Sequence, residues 1–149
     1  MPKVSLVIPA YNIEPYIRRC IQSVKDQTFT DFEAIVVDDA STDGTNAALM
    51  EAIGDDNRFH VVRHERNRGR HLPRRTAAAL VSGEYAFCLD GDDELTPDFL
   101  KQAVSRMDEH PVDMLHVGIT VIPENGVTQA EADGFAAYIN RPTGLLNEA

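Results

Sequence analysis

The sequence lacks most marks of membrane, secreted and nucleic-acid-binding chains. Its longest apolar runs, such as Ala34 to Val37 and Ala77 to Val81, fall far short of the ~18 residues that a membrane-spanning helix needs. Met1-Pro2-Lys3 leads straight into a strand-like run, without the pattern of a signal peptide. Basic residues are in deficit: 14 Lys and Arg stand against 24 Asp and Glu, a formal net charge of −10, which argues against non-specific nucleic-acid binding. Only two cysteines occur, Cys20 and Cys88. Both lie in apolar contexts at a spacing that fits no metal or redox motif, and they read as buried free thiols in a reducing compartment. The expectation is a cytoplasmic protein, with peripheral contact at the inner face of the membrane open to a longer form.

Several site signatures are also missing. No G-x-G-x-x-G follows the first strand-like run, no G-x-x-x-x-G-K-[ST] occurs, and no serine elbow is present. Asp90-Gly91-Asp92-Asp93-Glu94 opens like a calcium loop, but Leu95 stands where that loop needs glycine and Lys101 where it needs glutamate.

What is present is an alternation of buried strands and amphipathic helices over 149 residues, a length that suits one core. Val4 to Ile8, Phe32 to Val37, Phe59 to Arg63, Tyr85 to Leu89 and Met114 to Ile122 read as strands. Ile13, Ile17, Cys20, Ile21 and Val24 recur at helical spacing. A second helix is expected from caps in Ser41 to Gly44 through Ile53, a third over Leu72 to Val81, and a fourth opened by Thr96-Pro97 and running to Glu109. Glu124-Asn125-Gly126 reads as a turn. The order predicts an α/β fold, a mostly parallel Rossmann-like sheet with helices on both faces. Ligands of such sheets bind at the carboxyl ends of the strands. Those ends are Pro9 to Asn12, Asp38-Asp39, His64 to Arg70 and Asp90 to Glu94.

The last of these puts four carboxylates into five residues. At ~4 Å and an effective dielectric of ~20, each like-charged pair costs about 4 kcal/mol. A hard divalent cation, Mg²⁺ or Mn²⁺, relieves that cost, and usually binds through one or two carboxylates plus a substrate's phosphates. An acidic surface turn is the alternative. Seven arginines from Arg58 to Arg75 read either as a solvated face or as the wall of an anion pocket.

Three strings carry a resemblance. Val4-Ser5-Leu6-Val7-Ile8-Pro9-Ala10-Tyr11-Asn12, Ile35-Val36-Val37-Asp38-Asp39-Ala40-Ser41-Thr42-Asp43-Gly44-Thr45, and Gly83-Glu84-Tyr85 with Phe87-Cys88-Leu89-Asp90-Gly91-Asp92-Asp93 resemble the motifs of family 2 glycosyltransferases, in the same order. Gln27-Thr28-Phe29, Asp31-Phe32-Glu33 and Asn67-x-Gly69 add to it. The resemblance spans about residues 3 to 125. It implies the A-type nucleotide-diphospho-sugar transferase (GT-A) fold and inverting transfer from a nucleotide diphosphate sugar, UDP-sugar first among them, to a saccharide or lipid-linked acceptor.

Site roles carry over with the resemblance. Pro9 and Tyr11 lie in the segment that packs on the base. Asp39 falls where a carboxylate accepts the base's N3–H, and Arg74 where an arginine lies near base and phosphates. Asp90-Gly91-Asp92 matches the D-x-D motif: Asp90 and Gly91 lie close to the ribose, and Asp92 binds Mn²⁺ or Mg²⁺. Arg75 departs from the pattern, standing where the family often has asparagine. Residues 1–125 would form the donor-binding core and 126–149 the start of a truncated acceptor-binding half, which Gly144-Leu145-Leu146-Asn147-Glu148 opens. The catalytic base is expected beyond Ala149, so the chain alone would bind donor with little or no transfer.

Other positions read as structural. Asp38 is expected to cap the following turn, Asp43 to be a helix N-cap, and Asp93 and Glu94 to face solvent or support the site. The five histidines form no ligand set, and Met50, Met107 and Met114 are expected in the core. A metal-binding receiver domain would place its acid pair after the first strand rather than the second. A sugar-nucleotide pyrophosphorylase would need a glycine-rich loop after strand one.

Overall fold

A short apolar strand buried on both faces needs helices above and below it, and the chain supplies them in sequence order. The computed structural model describes residues 1–115, 117–120, 122, 128–131 and 133. It divides into a unit from Met1 to His110 and a second from Pro111 to Ala149. In the first, strands β1 (Val4–Ala10), β2 (Phe32–Asp38), β3 (Phe59–Arg63) and β4 (Tyr85–Cys88) alternate with helices α1 (Glu14–Lys25), α2 (Thr45–Ile53), α3 (His71–Ala78) and α4 (Phe99–Glu109). The four strands form a wholly parallel sheet in the order β3-β2-β1-β4. Strand order therefore reverses beside β1, and the crevice at such a reversal is where open α/β sheets hold ligands.

Side-chain alternation sorts the core onto two faces. Leu6, Ile8, Ala34 and Val36 pack with Ile17, Cys20, Ile21 and Val24 of α1, Leu49 and Ile53 of α2, and Leu100 and Val104 of α4. Val7, Ile35 and Val37 face the other way and pack with Ala77 of α3. Helices thus lie on both faces, as expected, and the helical stripe from Ile17 to Val24 is the buried face of α1.

The start of α4 moved from its expected place, for a reason that is not local. Pro97 does not open α4. It precedes Asp98 at the N-cap, whose side chain makes no capping bond. The turn is instead tied to the α1–β2 connection. Thr28 N–H donates to Pro97 O at 2.9 Å. Gln27, only 3% exposed, donates from Nε2 to Ser23 O at 3.0 Å and Thr96 O at 2.7 Å, and accepts Leu100 N–H on Oε1 at 2.9 Å. One amide thus caps a helix whose own N-cap does not. Pro73, by contrast, sits in the first turn of α3, where proline is tolerated.

Other expectations fail. Met114 to Ile122 form no strand among the described residues; Met114, Leu115, Ile119 and Ile122 are exposed. An apolar run becomes a strand only where a ladder partner receives it. Met50 and Met114 are exposed rather than core, and Met107 is half-buried. Cys20 is buried but Cys88 is exposed, because it lies beside Val7 on edge strand β4, on the face where α3 covers β1 and β2. In the second unit, Thr128 and Glu131 form a capping box at the start of a helical turn: Glu131 accepts Thr128 N–H at 2.9 Å, and Thr128 Oγ1 accepts Glu131 N–H at 3.3 Å. The turn expected at Glu124 to Gly126 and the segment Gly144 to Glu148 lie outside the described residues. No helix among the described residues is long and apolar enough to cross a membrane.

Two outcomes follow from this packing. Gln27→Leu strands the Leu100 N–H and two carbonyls and should destabilise the fold by roughly 2–3 kcal/mol, read by urea denaturation. The Cys20 thiol is pushed up to about 12, first by burial and then by the negative charges of Asp93, Asp92, Glu94 and Asp90. An aromatic disulfide reagent at pH 8 should therefore titrate one thiol, Cys88, in the native protein and both after denaturation.

Candidate functional site

The loops after β1 and β4 meet at the strand-order reversal, and a glycine makes the meeting possible. Gly91 N–H donates to Pro9 O at 3.2 Å. A Cβ on Gly91 would lie 2.8 Å from that carbonyl oxygen and 2.6 Å from Ile13 Cδ1, so only glycine fits the approach. Asp93 N–H closes a turn onto Asp90 O at 2.9 Å. The middle of the Asp90-Gly91-Asp92 string is thus fixed by sterics, and its two carboxylates diverge in environment.

Asp90 is neutralised. Its Oδ1 accepts from Arg74 Nη2, and Arg74 is itself steadied by a bond from Nη1 to Arg70 O at 2.6 Å. Asp92 is exposed and makes no ion pair or hydrogen bond among the described residues. Beside it, Asp93 is held above the usual carboxylate range, first by burial and then by the charges of Asp92 and Asp90. Arg19 lies 3.3 Å from Glu94. Among the described residues no three His, Cys, Asp or Glu side chains form a ready-made metal cage. A single free carboxylate next to an unrelieved negative charge fits Mg²⁺ or Mn²⁺ held largely by a ligand's phosphates.

The loops after β1 and β2 are stitched together. Asn12 N–H donates to Ser41 Oγ at 3.1 Å, Thr42 N–H to Asn12 Oδ1 at 2.8 Å, and Ile13 N–H to Thr45 Oγ1 at 2.8 Å. Asn12 and Ala40 adopt positive φ, 50° and 61°. Asp38, fully buried, accepts Ser41 N–H on Oδ1 at 2.9 Å, which is the turn cap expected of it. Its Oδ2 lies 3.3 Å from Arg63 Nε, an ion-pair distance without hydrogen-bond geometry. Asp43, expected as a helix N-cap, lies one residue before it: Gly44 is the N-cap of α2, and Asp43 instead accepts Thr45 N–H at 3.0 Å and Glu14 N–H at 3.3 Å, which ties the loop to the start of α1.

Asp39 is 2% exposed, and three donors converge on it. His64 Nδ1 lies 2.6 Å from Oδ1, while Arg68 N–H and Gly69 N–H reach Oδ2 at 2.8 and 3.0 Å. Gly69 has φ 80°, which favours glycine. Asn67 Oδ1 also accepts Gly69 N–H, at 3.0 Å. On the far side of the imidazole, Nε2 lies 3.0 Å from Thr76 Oγ1 on α3.

Pro9, Tyr11, Asp39, Asp90, Gly91 and Asp92 all lie at the carboxyl ends of β1, β2 and β4, and Arg74 joins them through Asp90. Tyr11 keeps an exposed ring, at 44%. Arg75 is exposed on α3. The arginine stretch splits in role: Arg58 pairs with Asp56 at 2.7 Å and covers the Phe32 ring, Arg63 braces Asp38, and Arg66, Arg68 and Arg70 are exposed. His64 is the residue that sequence reasoning passed over. Its signal was its position, directly after β3 at the binding edge, but a search for metal-ligand sets gives it no role.

Known proteins resemble this chain in sequence and fold. The model of glycosyl transferase family 2 matches residues 5–148. Poly(ribitol-phosphate) β-N-acetylglucosaminyltransferase TarS of Staphylococcus aureus is 35% identical over 133 residues, covering 87% of this chain and 23% of that protein. The crystal structure of TarS 1–349 in complex with UDP-GlcNAc superposes with a TM-score of 0.69 at 32% identity, over 82% of this chain and 38% of that one. The mannosyltransferase PcManGT of Pyrobaculum calidifontis, in complex with GDP-Man and Mn²⁺, superposes with a TM-score of 0.68 at 28% identity, over 74% and 34%. The chain spans half or less of the length of these relatives. Matched by the family model over nearly all of its residues, and by a relative and a solved structure at 35% identity, this chain belongs to the family 2 glycosyltransferases and has their GT-A fold.

Proposed function

We propose that this chain is the donor-binding part of an inverting glycosyltransferase that takes a nucleotide diphosphate sugar, a UDP-sugar first among them, with Mg²⁺ or Mn²⁺ at Asp92. The observation that carries the reading is the contrast at the end of β4, where Asp90 is paired with Arg74 and Asp92 is left exposed and unpaired beside a disfavoured negative charge on Asp93. A site of that kind accepts a cation that arrives with phosphates. When bound, the metal neutralises the diphosphate and, as a Lewis acid, stabilises the departing nucleotide.

The chain's own residues bind and orient. Tyr11, exposed beside Pro9, offers a ring for the base, and base stacking on an aromatic ring is worth ~1–3 kcal/mol. Asp39 accepts the base's ring N–H. Asp90 and Gly91 face the ribose, and Arg74, already beside Asp90, is within the same loop system for the phosphates. Residues 1–125 form this donor-binding core and 126–149 begin the acceptor-binding half. Two free thiols favour a cytoplasmic setting. A saccharide or lipid-linked acceptor, and peripheral membrane contact, belong to the longer protein.

A second reading, donor binding without transfer by these 149 residues, is favoured by how the acids are engaged. Asp38 holds Ser41, Asp39 holds the 68–69 amides, Asp90 holds Arg74, and Glu94 faces Arg19. None of these four is free to deprotonate an acceptor, and Asp92 and Asp93 stand on the donor's side of the site; a positioned base typically contributes ~10²–10⁴-fold.

Two measurements test these readings. In calorimetric titrations UDP should bind more tightly with Mn²⁺ or Mg²⁺ than with EDTA, and Asp92→Ala should erase the difference; equal affinity with and without metal would remove the metal role. With radiolabelled UDP-sugars and a panel of saccharide and lipid-linked acceptors, the 149-residue chain should show slow donor hydrolysis and little transfer. Turnover matching that of a longer native form would put the base within residues 1 to 149.

A further inference from the structure

We propose that His64 is a positioning residue that sets which nucleobase the site accepts, by leaving Asp39 with a single acceptor position that matches uracil and not guanine. The inference rests on the reading of Asp39 as the base's acceptor and goes beyond it, because that reading alone leaves guanine, with its own ring N–H, unexcluded.

The argument is a count of lone pairs. An ionised carboxylate accepts about four hydrogen bonds, two per oxygen. Oδ2 of Asp39 is filled by the Arg68 and Gly69 amides. Oδ1 already takes one bond from His64 Nδ1 at 2.6 Å. One position remains, on Oδ1. The carboxylate only accepts, so His64 Nδ1 carries the proton. In the neutral ring Nε2 is then an acceptor, and the Thr76 hydroxyl, 3.0 Å away on α3, donates to it. Thr76 thereby selects the tautomer that donates to Asp39, and β3, the 68–69 turn and α3 all clamp one side chain at the end of β2. The clamp is buried: Asp39 is 2% exposed and the His64 side chain 8%.

Uracil offers one N–H flanked by two carbonyl oxygens. It satisfies the single vacancy, and the amides on Oδ2 reduce repulsion between that oxygen and the flanking carbonyls. Guanine presents N1–H and an exocyclic N–H side by side and is best held by both carboxylate oxygens in a fork. With Oδ2 filled, one guanine donor is desolvated without a partner, which a site built for hydrogen bonding penalises heavily. Without the His64 bond, Oδ1 regains its second position and can take both guanine donors on one oxygen while the 68–69 amides stay on Oδ2, and the discrimination weakens.

The test is the ratio of UDP to GDP affinity, measured by calorimetry on the 149-residue chain at fixed Mg²⁺. The native chain should prefer UDP by about tenfold or more. His64→Leu should bring the two affinities towards equality. His64→Asn, whose amide nitrogen can stand near the Nδ1 position, should retain most of the preference. Thr76→Val, which leaves the imidazole in place but frees its tautomer, should lower the ratio in the same direction by a smaller factor, and it carries the test if the leucine variant fails to fold. A purely structural His64 would weaken both nucleotides alike. An unchanged ratio in folded His64→Leu and Thr76→Val, with UDP affinity lost in Asp39→Asn, overturns the role of His64 while leaving Asp39 as the base reader. Unaltered UDP affinity in Asp39→Asn overturns both.

Discussion

Two adjacent carboxylates turn into the protein at the end of β2, and the binding edge is arranged around satisfying them. Asp38 is fully buried and Asp39 nearly so. A charge taken out of water at that depth is tolerated only with donors in place. Their partners come from separate parts of the chain: the Ser41 amide donates to Asp38, with Arg63 at ion-pair distance, and His64 and the 68–69 amides serve Asp39. Meeting these demands fixes the path after β2, the end of β3 and the loop that leads into α3. The carboxylates thus organise loops that three parallel strands would otherwise leave independent.

Packing supports the same edge from beneath. β1 lies between β2 and β4 and is covered on both faces, so its carboxyl end cannot shift without disturbing α1, α3 or the Gly91 turn. Gln27 links the end of α1 to the start of α4 through one amide side chain. The segment from Asp90 to Asp98 is therefore held at both ends, by Pro9 O and Arg74 at one and by Gln27 and Thr28 at the other. Between those anchors Asp92 remains exposed, which is how a rigid loop can present a carboxylate to solvent.

Much of this was legible in the sequence because buried parallel strands are continuous apolar runs and α1 carries its stripe at helical spacing. The acid pairs at strand ends were legible for the same reason, since topology alone assigns them to one edge. What escaped depends on partners distant in the chain. His64 acquires its role from Asp39 and Thr76, and the start of α4 is set by Gln27, 73 residues before Leu100. Cys88 has apolar neighbours in sequence yet lies on edge strand β4, where it stays exposed. The run from Met114 to Ile122 has the composition of a strand, but composition does not supply a ladder partner.

Ala40 joins the two buried acids to the rest of the loop with φ 61°, a conformation costing on the order of 1–3 kcal/mol for a residue with a Cβ. That reversal aims Asp39 at the 68–69 turn while returning Ser41 to Asp38. Its consequence lies in which sequences can drift past this point. Glycine, asparagine and aspartate enter the left-handed region readily, and valine, isoleucine and threonine do not. Single-base routes from alanine to valine or threonine are therefore closed at position 40 whatever sugar the protein handles, while those to glycine or aspartate stay open, so the pivot drifts within a far narrower set than its exposed neighbours.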